Sequence, residues 1–178
     1  MIRLFVGLEL EWPLRERLRL LAGGVPGARW VPAENYHLTL RFIGEVPAHR
    51  AEEVDLALAT LRRRAFALSF AGVGTFAKAG RELALWVGAE RTPALDHLQA
   101  KIETALQRAG LPPERRRFTP HVTLARLDNV PEAQLAAFVQ SNNLFRAGPV
   151  EIGHFTLFSS RLGKEASAYT AEVEYPLD

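Results

Sequence analysis

The chain has 178 residues, of which 48% are hydrophobic and 24% charged, a composition typical of a globular protein with enough apolar residues to bury a core. Its formal net charge of +2 permits a nucleic-acid partner without requiring one. The absence of cysteine excludes disulfides, thiolate catalysis and cysteine-based zinc sites, and because no secretory signal or membrane-spanning apolar run occurs, the sequence predicts a soluble cytoplasmic protein.

The predicted elements follow the same order twice. Strands are predicted where β-branched and aromatic residues cluster or alternate with polar ones, helices where leucine and valine recur every three or four residues, and glycine and proline mark the ends. The first half is predicted to contain a strand at residues 2–9, a helix at 13–22, a strand at 36–43, a helix at 48–63 and a strand at 66–76. The second half is predicted to contain a strand at 81–88, a helix at 93–109, a strand at 120–127, a helix at 131–140 and a strand pair at 148–158 and 167–176. This order indicates an internal duplication.

Each half contains one copy of a short motif on a predicted strand. The copies are Tyr36-His37-Leu38-Thr39-Leu40 and Pro120-His121-Val122-Thr123-Leu124, and the histidines lie 84 residues apart (121 − 37). A proline follows each histidine at the same distance, and the later segments Gly74-Thr75-Phe76 and Thr156-Leu157-Phe158 extend the repeat. Residues i and i+2 of a strand share a face about 6.6 Å apart, so each histidine and its threonine can reach one anion. We therefore predict one site formed from two halves across a cleft.

The paired motifs suit displacement at phosphorus. Imidazole can act as acid or base near neutral pH, and threonine hydroxyls can donate hydrogen bonds to phosphate oxygens. One histidine would take a proton from the attacking water or hydroxyl while the other protonates the leaving oxygen, with the two oxygens in line. The residues themselves do not decide which of His37 and His121 is the acid. Because this chemistry needs neither a cofactor nor a metal nor a covalent nucleophile, we predict none.

Other kinds of site fit these residues less well. Zinc needs three or four histidine, cysteine or carboxylate ligands, whereas threonine stands two residues after each motif histidine and no acidic residue recurs in both copies. No serine occupies a nucleophile-elbow pattern. His49 and His97 are predicted on helix surfaces, and His154 is predicted in the core or the cleft wall.

Two arginines near the motifs face opposite ways under strict alternation. Arg41 is predicted on the face of His37, whereas Arg126 is predicted on the face opposite His121 and reaches the cleft only if the strand ends or bulges there. Trp30 and Phe118 lie close to the motifs along the chain. Either aromatic ring could stack on a base, although burial is the commoner role of such rings.

The extended motifs resemble those of the two-histidine (2H) phosphoesterase superfamily, and within it the bacterial and archaeal RNA 2',3'-cyclic phosphodiesterases, historically called 2'-5' RNA ligases. The likeness spans nearly the whole chain and rests on Arg3-Leu4-Phe5-Val6, on Trp30-Val31-Pro32 with His37 to Val46, and on Phe118 to Arg126. It implies a bilobal α+β fold with two pseudo-symmetric antiparallel sheets, helices on the outside and a central cleft. Residues 1–178 would form a single domain made of two pseudo-repeated lobes, with the motif strands near 36–43 and 120–127.

The resemblance also implies the activity. It implies metal-independent hydrolysis of a terminal RNA 2',3'-cyclic phosphate to a 2'-phosphate, with 2'-5' RNA ligation as the reverse type of reaction. Carried over to this chain, His37 would be the proton donor and His121 the proton acceptor, while Thr39, Thr123 and Arg126 would bind substrate. The implied partner is RNA with a 2',3'-cyclic phosphate end, tRNA fragments among the options, with no obligate protein partner and no membrane.

Two alternative functions remain open from the sequence. The runs Arg62-Arg63-Arg64 and Arg115-Arg116-Arg117 are compatible with an RNA-end-binding module of weak catalytic activity, because arginine pairs with phosphate; the same runs also suit a solvated surface. The second alternative is a phosphodiesterase for small cyclic nucleotides or for ADP-ribose cyclic phosphate.

Overall fold

The computed structural model describes residues 1–178 as nine strands and four helices. The strands are β1 (Ile2–Glu9), β2 (Arg29–Trp30), β3 (His37–Val46), β4 (Phe66–Lys78), β5 (Arg81–Ala89), β6 (His121–Arg126), β7 (Arg146–Ile152), β8 (His154–Arg161) and β9 (Ala168–Pro176). The helices are α1 (Trp12–Arg19), α2 (Ala48–Ala59), α3 (Pro93–Arg108) and α4 (Glu132–Asn142). None of them combines the length and the apolar character that a membrane crossing requires.

The two motif strands lie side by side at the centre of one antiparallel sheet. Its strand order is β7-β4-β5-β6-β3-β1-β8-β9, and β2 pairs with β6. The central strands β3 and β6 share only the pair Leu38–Val122. The sheet therefore consists of a first half-sheet (β3, β1, β8, β9) and a second half-sheet (β6, β5, β4, β7) that join at this one point. The predicted antiparallel α+β fold is confirmed.

Strands are exchanged between the two sequence halves. The strand β4 follows the first motif but pairs with β5 in the second half-sheet, whereas β8 follows the second motif but pairs with β1 in the first. The prediction of a single strand at 148–158 is wrong. The strand β7 ends at Ile152 and β8 begins at His154, and the two strands belong to different half-sheets. Alternation along the chain does not reveal such a change of partner. The division into two pseudo-repeated lobes stays a prediction, which this reciprocal exchange supports.

Helices α2 and α3 cover one face of the sheet. In α3 the buried residues Leu95, Leu98, Ile102 and Leu106 recur every three or four positions and join the main core cluster, which also contains Leu38 and Leu124 of the motif strands. Burying each such side chain contributes roughly 1.5–3 kcal/mol. Since successive strand residues point to opposite faces, this packing leaves the motif histidines and threonines on the other face.

Candidate functional site

The structure brings the two motifs together on one face of the sheet. Leu38 and Val122 form the pair that joins the half-sheets, and both are fully buried on the helix side. The antiparallel register sets His37 beside Thr123 and Thr39 beside His121, at the roughly 5 Å spacing of cross-strand neighbours. All four of these polar side chains are half-buried. The spatial pairing of the motifs is thus present, and each histidine is flanked by both threonines.

Each motif histidine is oriented by a backbone carbonyl two residues earlier. His37 Nδ1 lies 2.8 Å from the carbonyl oxygen of Asn35, and His121 Nδ1 lies 2.6 Å from that of Thr119. A carbonyl oxygen only accepts hydrogen bonds, so Nδ1 carries the proton in both rings. In the neutral ring Nε2 is therefore the acceptor. In His37, Nε2 accepts a hydrogen bond from the Thr39 hydroxyl at 2.9 Å.

Burial keeps both imidazoles neutral in the unliganded site. Burial is the main reason that the pKa of His37 falls from 6.5 to about 4; the Asn35 carbonyl opposes this, and the charges of Arg126, Arg15 and a protonated His121 contribute to the lowering. Burial and Arg126 also lower the pKa of His121. A bound anion would reverse this effect, because negative charge beside an imidazole favours its protonated form.

Aromatic rings surround both histidines, although the site predicted from the sequence did not include them. The ring of His37 lies 4.8 Å from Phe5 and 5.2 Å from Tyr169, the latter at 89°. The ring of His121 lies 4.7 Å from Phe76, at 85°, and Phe158 lies 6.0 Å from His37. Phe76 and Phe158 are the last residues of the repeated segments Gly74-Thr75-Phe76 and Thr156-Leu157-Phe158. This repeat is the feature of the sequence that could have indicated their place in the site. Because strands are exchanged, each contacts the histidine of the other motif.

Arg126 lies on the face of the histidines because β6 contains a bulge. Thr123 pairs with Trp86 of β5, whereas Arg126 pairs with Ala84, two residues away on the same face of β5. Between Thr123 and Arg126, β6 thus contains one residue more than its partner, which resets the alternation. The strand thus contains the bulge that Arg126 needs in order to share the face of His121.

A bulge at the equivalent place in β3 has the opposite effect on Arg41. There the register against β1 shifts between Thr39 and Arg41, so the prediction that Arg41 faces the site is wrong. Its side chain is only 6% exposed and forms an ion pair with Glu103 of α3 at 2.6 Å. Phe42 occupies the corresponding position on the site face, where it is 49% exposed and lies 6.0 Å from Phe5.

Glycine is required beside both motifs by close backbone approach. Gly7 of β1 pairs with Thr39, and a Cβ there would lie 2.9 Å from the carbonyl oxygen of Leu38. Gly88 of β5 pairs with His121, and a Cβ there would lie 2.9 Å from the carbonyl oxygen of Ala71. Neither distance admits a side chain without backbone movement. Because glycine has no side chain, the residue paired with Thr39 and the residue paired with His121 do not cover these motif side chains from the neighbouring strand.

The remaining histidines have other partners. His49 and His97 are exposed on α2 and α3, as predicted. His154 Nε2 lies 3.2 Å from Glu9 Oε1, which also accepts a hydrogen bond from the Thr156 hydroxyl at 2.9 Å. With Glu174, Glu9 and His154 form the one group of potential metal ligands, their ligand atoms within 4.8 Å of one another. The bonds to Glu9 account for His154 without a metal.

Trp30 and Phe118, the two aromatic residues that the sequence offered for base stacking, are not among the rings that contact the histidines. Trp30 pairs with Ala125, and its ring lies 5.8 Å from Phe138 beside the second, smaller core cluster. It is therefore a packing residue on the helix side. Phe118 is half-buried, with the guanidinium of Arg91 at 5.5 Å over its ring.

Comparisons with known proteins agree with this architecture. Residues 11–164 match the family model of the 2'-5' RNA ligase superfamily. The RNA 2',3'-cyclic phosphodiesterase of Aeropyrum pernix is 38% identical over 140 residues, covering 78% of this chain and 77% of that protein, and that of Archaeoglobus fulgidus is 28% identical over 171 residues, covering 94% and 96%. The crystal structure of E. coli LigT complexed with 3'-AMP has a TM-score of 0.80 at 26% identity, covering 99% of this chain and 98% of that chain. The chain therefore belongs to the 2'-5' RNA ligase superfamily.

Proposed function

We propose that this chain is a metal-independent phosphodiesterase that hydrolyses the terminal 2',3'-cyclic phosphate of RNA to a 2'-phosphate. The observation that carries the proposal is the pair of histidines on adjacent strands, each with Nδ1 bonded to a carbonyl and Nε2 left as the reactive atom. The names of the A. pernix and A. fulgidus relatives support it.

In the proposed reaction, water attacks phosphorus in line with the 3'-oxygen. His121 Nε2 takes a proton from the water as the new P–O bond forms, and His37 Nε2 donates a proton to the 3'-oxygen as the P–O3' bond breaks. Thr39 and Thr123 donate hydrogen bonds to the non-bridging oxygens. The guanidinium of Arg126 adds positive charge beside the phosphate. Proton exchange with solvent then restores both rings.

Binding of the anionic substrate allows the acid, His37, to take up a proton from solvent. In the unliganded site the Thr39 hydroxyl donates to His37 Nε2, and that nitrogen carries no proton at neutral pH. When the anionic cyclic phosphate binds, its charge raises the pKa of His37. The Thr39 hydroxyl can then turn to the phosphate, and His37 Nε2 becomes available as a donor.

The same geometry allows a nucleophile other than water. If an RNA 5'-hydroxyl occupies the position of the water, His121 can deprotonate it and the product is a 2'-5' linkage. Water competes at high concentration, so hydrolysis is the dominant outcome. We infer that the substrates are RNA ends in the cytoplasm, tRNA fragments included.

The decisive experiment identifies the product. The EDTA-treated protein is incubated with a dinucleotide that ends in a 2',3'-cyclic phosphate, and the product is assigned by ³¹P NMR. We expect a 2'-phosphate and no loss of rate after chelation. Salt-sensitive RNA binding without turnover would instead establish an RNA-end-binding module, and a strict need for an added metal would contradict the two-histidine mechanism.

The pH dependence follows from the lowered pKa values. Turnover requires one imidazole protonated and the other neutral, and burial lowers the pKa of both rings below 6.5. Protonated imidazole is therefore lost at a lower pH than usual, and we expect kcat/KM to peak below pH 6.5 and to fall as the pH rises. The kcat profile should lie at higher pH, because it reports the substrate complex. A kcat/KM maximum above pH 7 would contradict this assignment.

A further inference from the structure

Two arginines lie directly opposite each other at the edge of the histidine face. Arg29 of β2 pairs with Arg126 of β6, and the next pair is Trp30 with Ala125. Directly opposed residues of an antiparallel pair point to the same face. Since Arg126 shares the face of His121, so does Arg29. The ring of Trp30 packs on the other face, against Phe138.

Neither guanidinium has an acidic partner. Both side chains are exposed, and the ion pairs of the structure include neither of them. Like charges directly opposite each other destabilise a strand pair. The strands β2 and β6 nevertheless pair here, and the next hydrogen bond runs from Val31 N to the Leu124 carbonyl oxygen at 2.8 Å. An anion bound between the guanidiniums would offset their repulsion.

Arg126 shares strand β6 with His121, whereas Arg29 belongs to the neighbouring strand β2. The charge of Arg126 lowers the pKa of both His37 and His121. Arg29 is displaced sideways from Arg126 by one strand spacing of about 4.8 Å. In the other half of the site, Phe42 holds the position equivalent to Arg126. The arginine pair therefore has no counterpart at the equivalent strand position in the other half of the site.

We propose that Arg29, placed beside Arg126, binds the phosphodiester that precedes the terminal cyclic phosphate, so that the preferred substrate is an oligonucleotide end rather than a mononucleotide. Arginine can bind a phosphate through two parallel hydrogen bonds. A nucleoside 2',3'-cyclic phosphate has no second phosphate for Arg29 to bind. This proposal rests on the proposed function, and it adds the direction in which the RNA chain runs from the cyclic phosphate out of the site.

The test compares two substrates in the wild type and three variants. Wild type, Arg29→Ala and Arg108→Ala are assayed with 2',3'-cyclic AMP and with a dinucleotide that ends in a 2',3'-cyclic phosphate. Arg108 belongs to α3, on the opposite side of the sheet, so its loss is a matched control for net charge. We expect Arg29→Ala to lower kcat/KM for the dinucleotide about tenfold through KM, with no change for 2',3'-cyclic AMP. Arg29→Lys should recover part of the loss.

Salt dependence provides a second readout. The wild type should lose affinity for the dinucleotide with rising salt more steeply than Arg29→Ala, by about 0.7 in the slope of log affinity against log salt concentration. An equal loss on both substrates, or no loss on either, would overturn the role of Arg29. Absence of turnover of both substrates by the wild type would overturn the proposed function itself, which is a separate result.

Discussion

Replacing His121 with alanine is expected to lower kcat for a 2',3'-cyclic phosphate by about 10²- to 10⁴-fold, and replacing His37 should have an effect of the same size. Each ring supplies one of the two proton transfers, and no second titratable group is bonded to either Nε2 atom. Single-turnover rates with a dinucleotide substrate measure the loss.

Folding and independence are checked in the same series. The exposed His97 on α3 is the matched control, and His97→Ala should retain wild-type kcat. Because the two rings act in one step, kcat of the double variant should be only slightly lower than kcat of the less active single variant. Full activity in either single variant, with an unchanged thermal transition, would exclude the two-histidine mechanism.

Replacing Glu103 with alanine is expected to destabilise the protein by about 3 kcal/mol. Its carboxylate bonds to the buried guanidinium of Arg41 at 2.6 Å and accepts from Gln107 and from the Glu114 backbone N–H, both at 2.9 Å. Without Glu103, the positive charge of Arg41 stays buried with only carbonyl partners, among them that of Pro112. Urea unfolding measures the change.

The same ion pair makes stability depend on pH in a defined direction. Burial raises the pKa of Glu103, but the hydrogen bonds from Arg41 and Gln107 outweigh it and hold the pKa below its ordinary 4.5. The contribution is therefore present above pH 4.5 and lost as the pH falls through the lower, folded-state pKa. The exposed Glu52 of α2 is the control: Glu52→Ala should change stability by less than about 0.5 kcal/mol. Equal stability of the two variants would contradict the role of this ion pair.

The alternation of each motif predicted the relation of histidine to threonine but not that of either to the following arginine. His37 and Thr39 share a face because they lie two positions apart on the strand, which is one full pleat repeat. Beyond Thr39 the register against β1 shifts, and beyond Thr123 the register against β5 shifts. A bulge depends on the partner strand, so no pattern within β3 or β6 alone reveals that Arg41 turns inward and Arg126 outward.

The exchange of strands was equally hidden. The segments ending in Phe76 and Phe158 repeat in the sequence, which indicated that they are equivalent, but not which histidine each contacts. That assignment depends on the pairing of β4 with β5 and of β8 with β1. The pairing is a long-range choice made by the packing of the whole sheet, and local propensity carries little information about it.

The sequence by itself determined the class of fold, the two His-x-Thr motifs and the kind of chemistry that two such motifs suit, because strand periodicity and side-chain chemistry are local properties. The tertiary structure decided how the motifs meet at Leu38 and Val122, which arginine shares their face, and how far burial lowers the pKa of His37. Those features arise from residues distant along the chain that become neighbours only when the two half-sheets join.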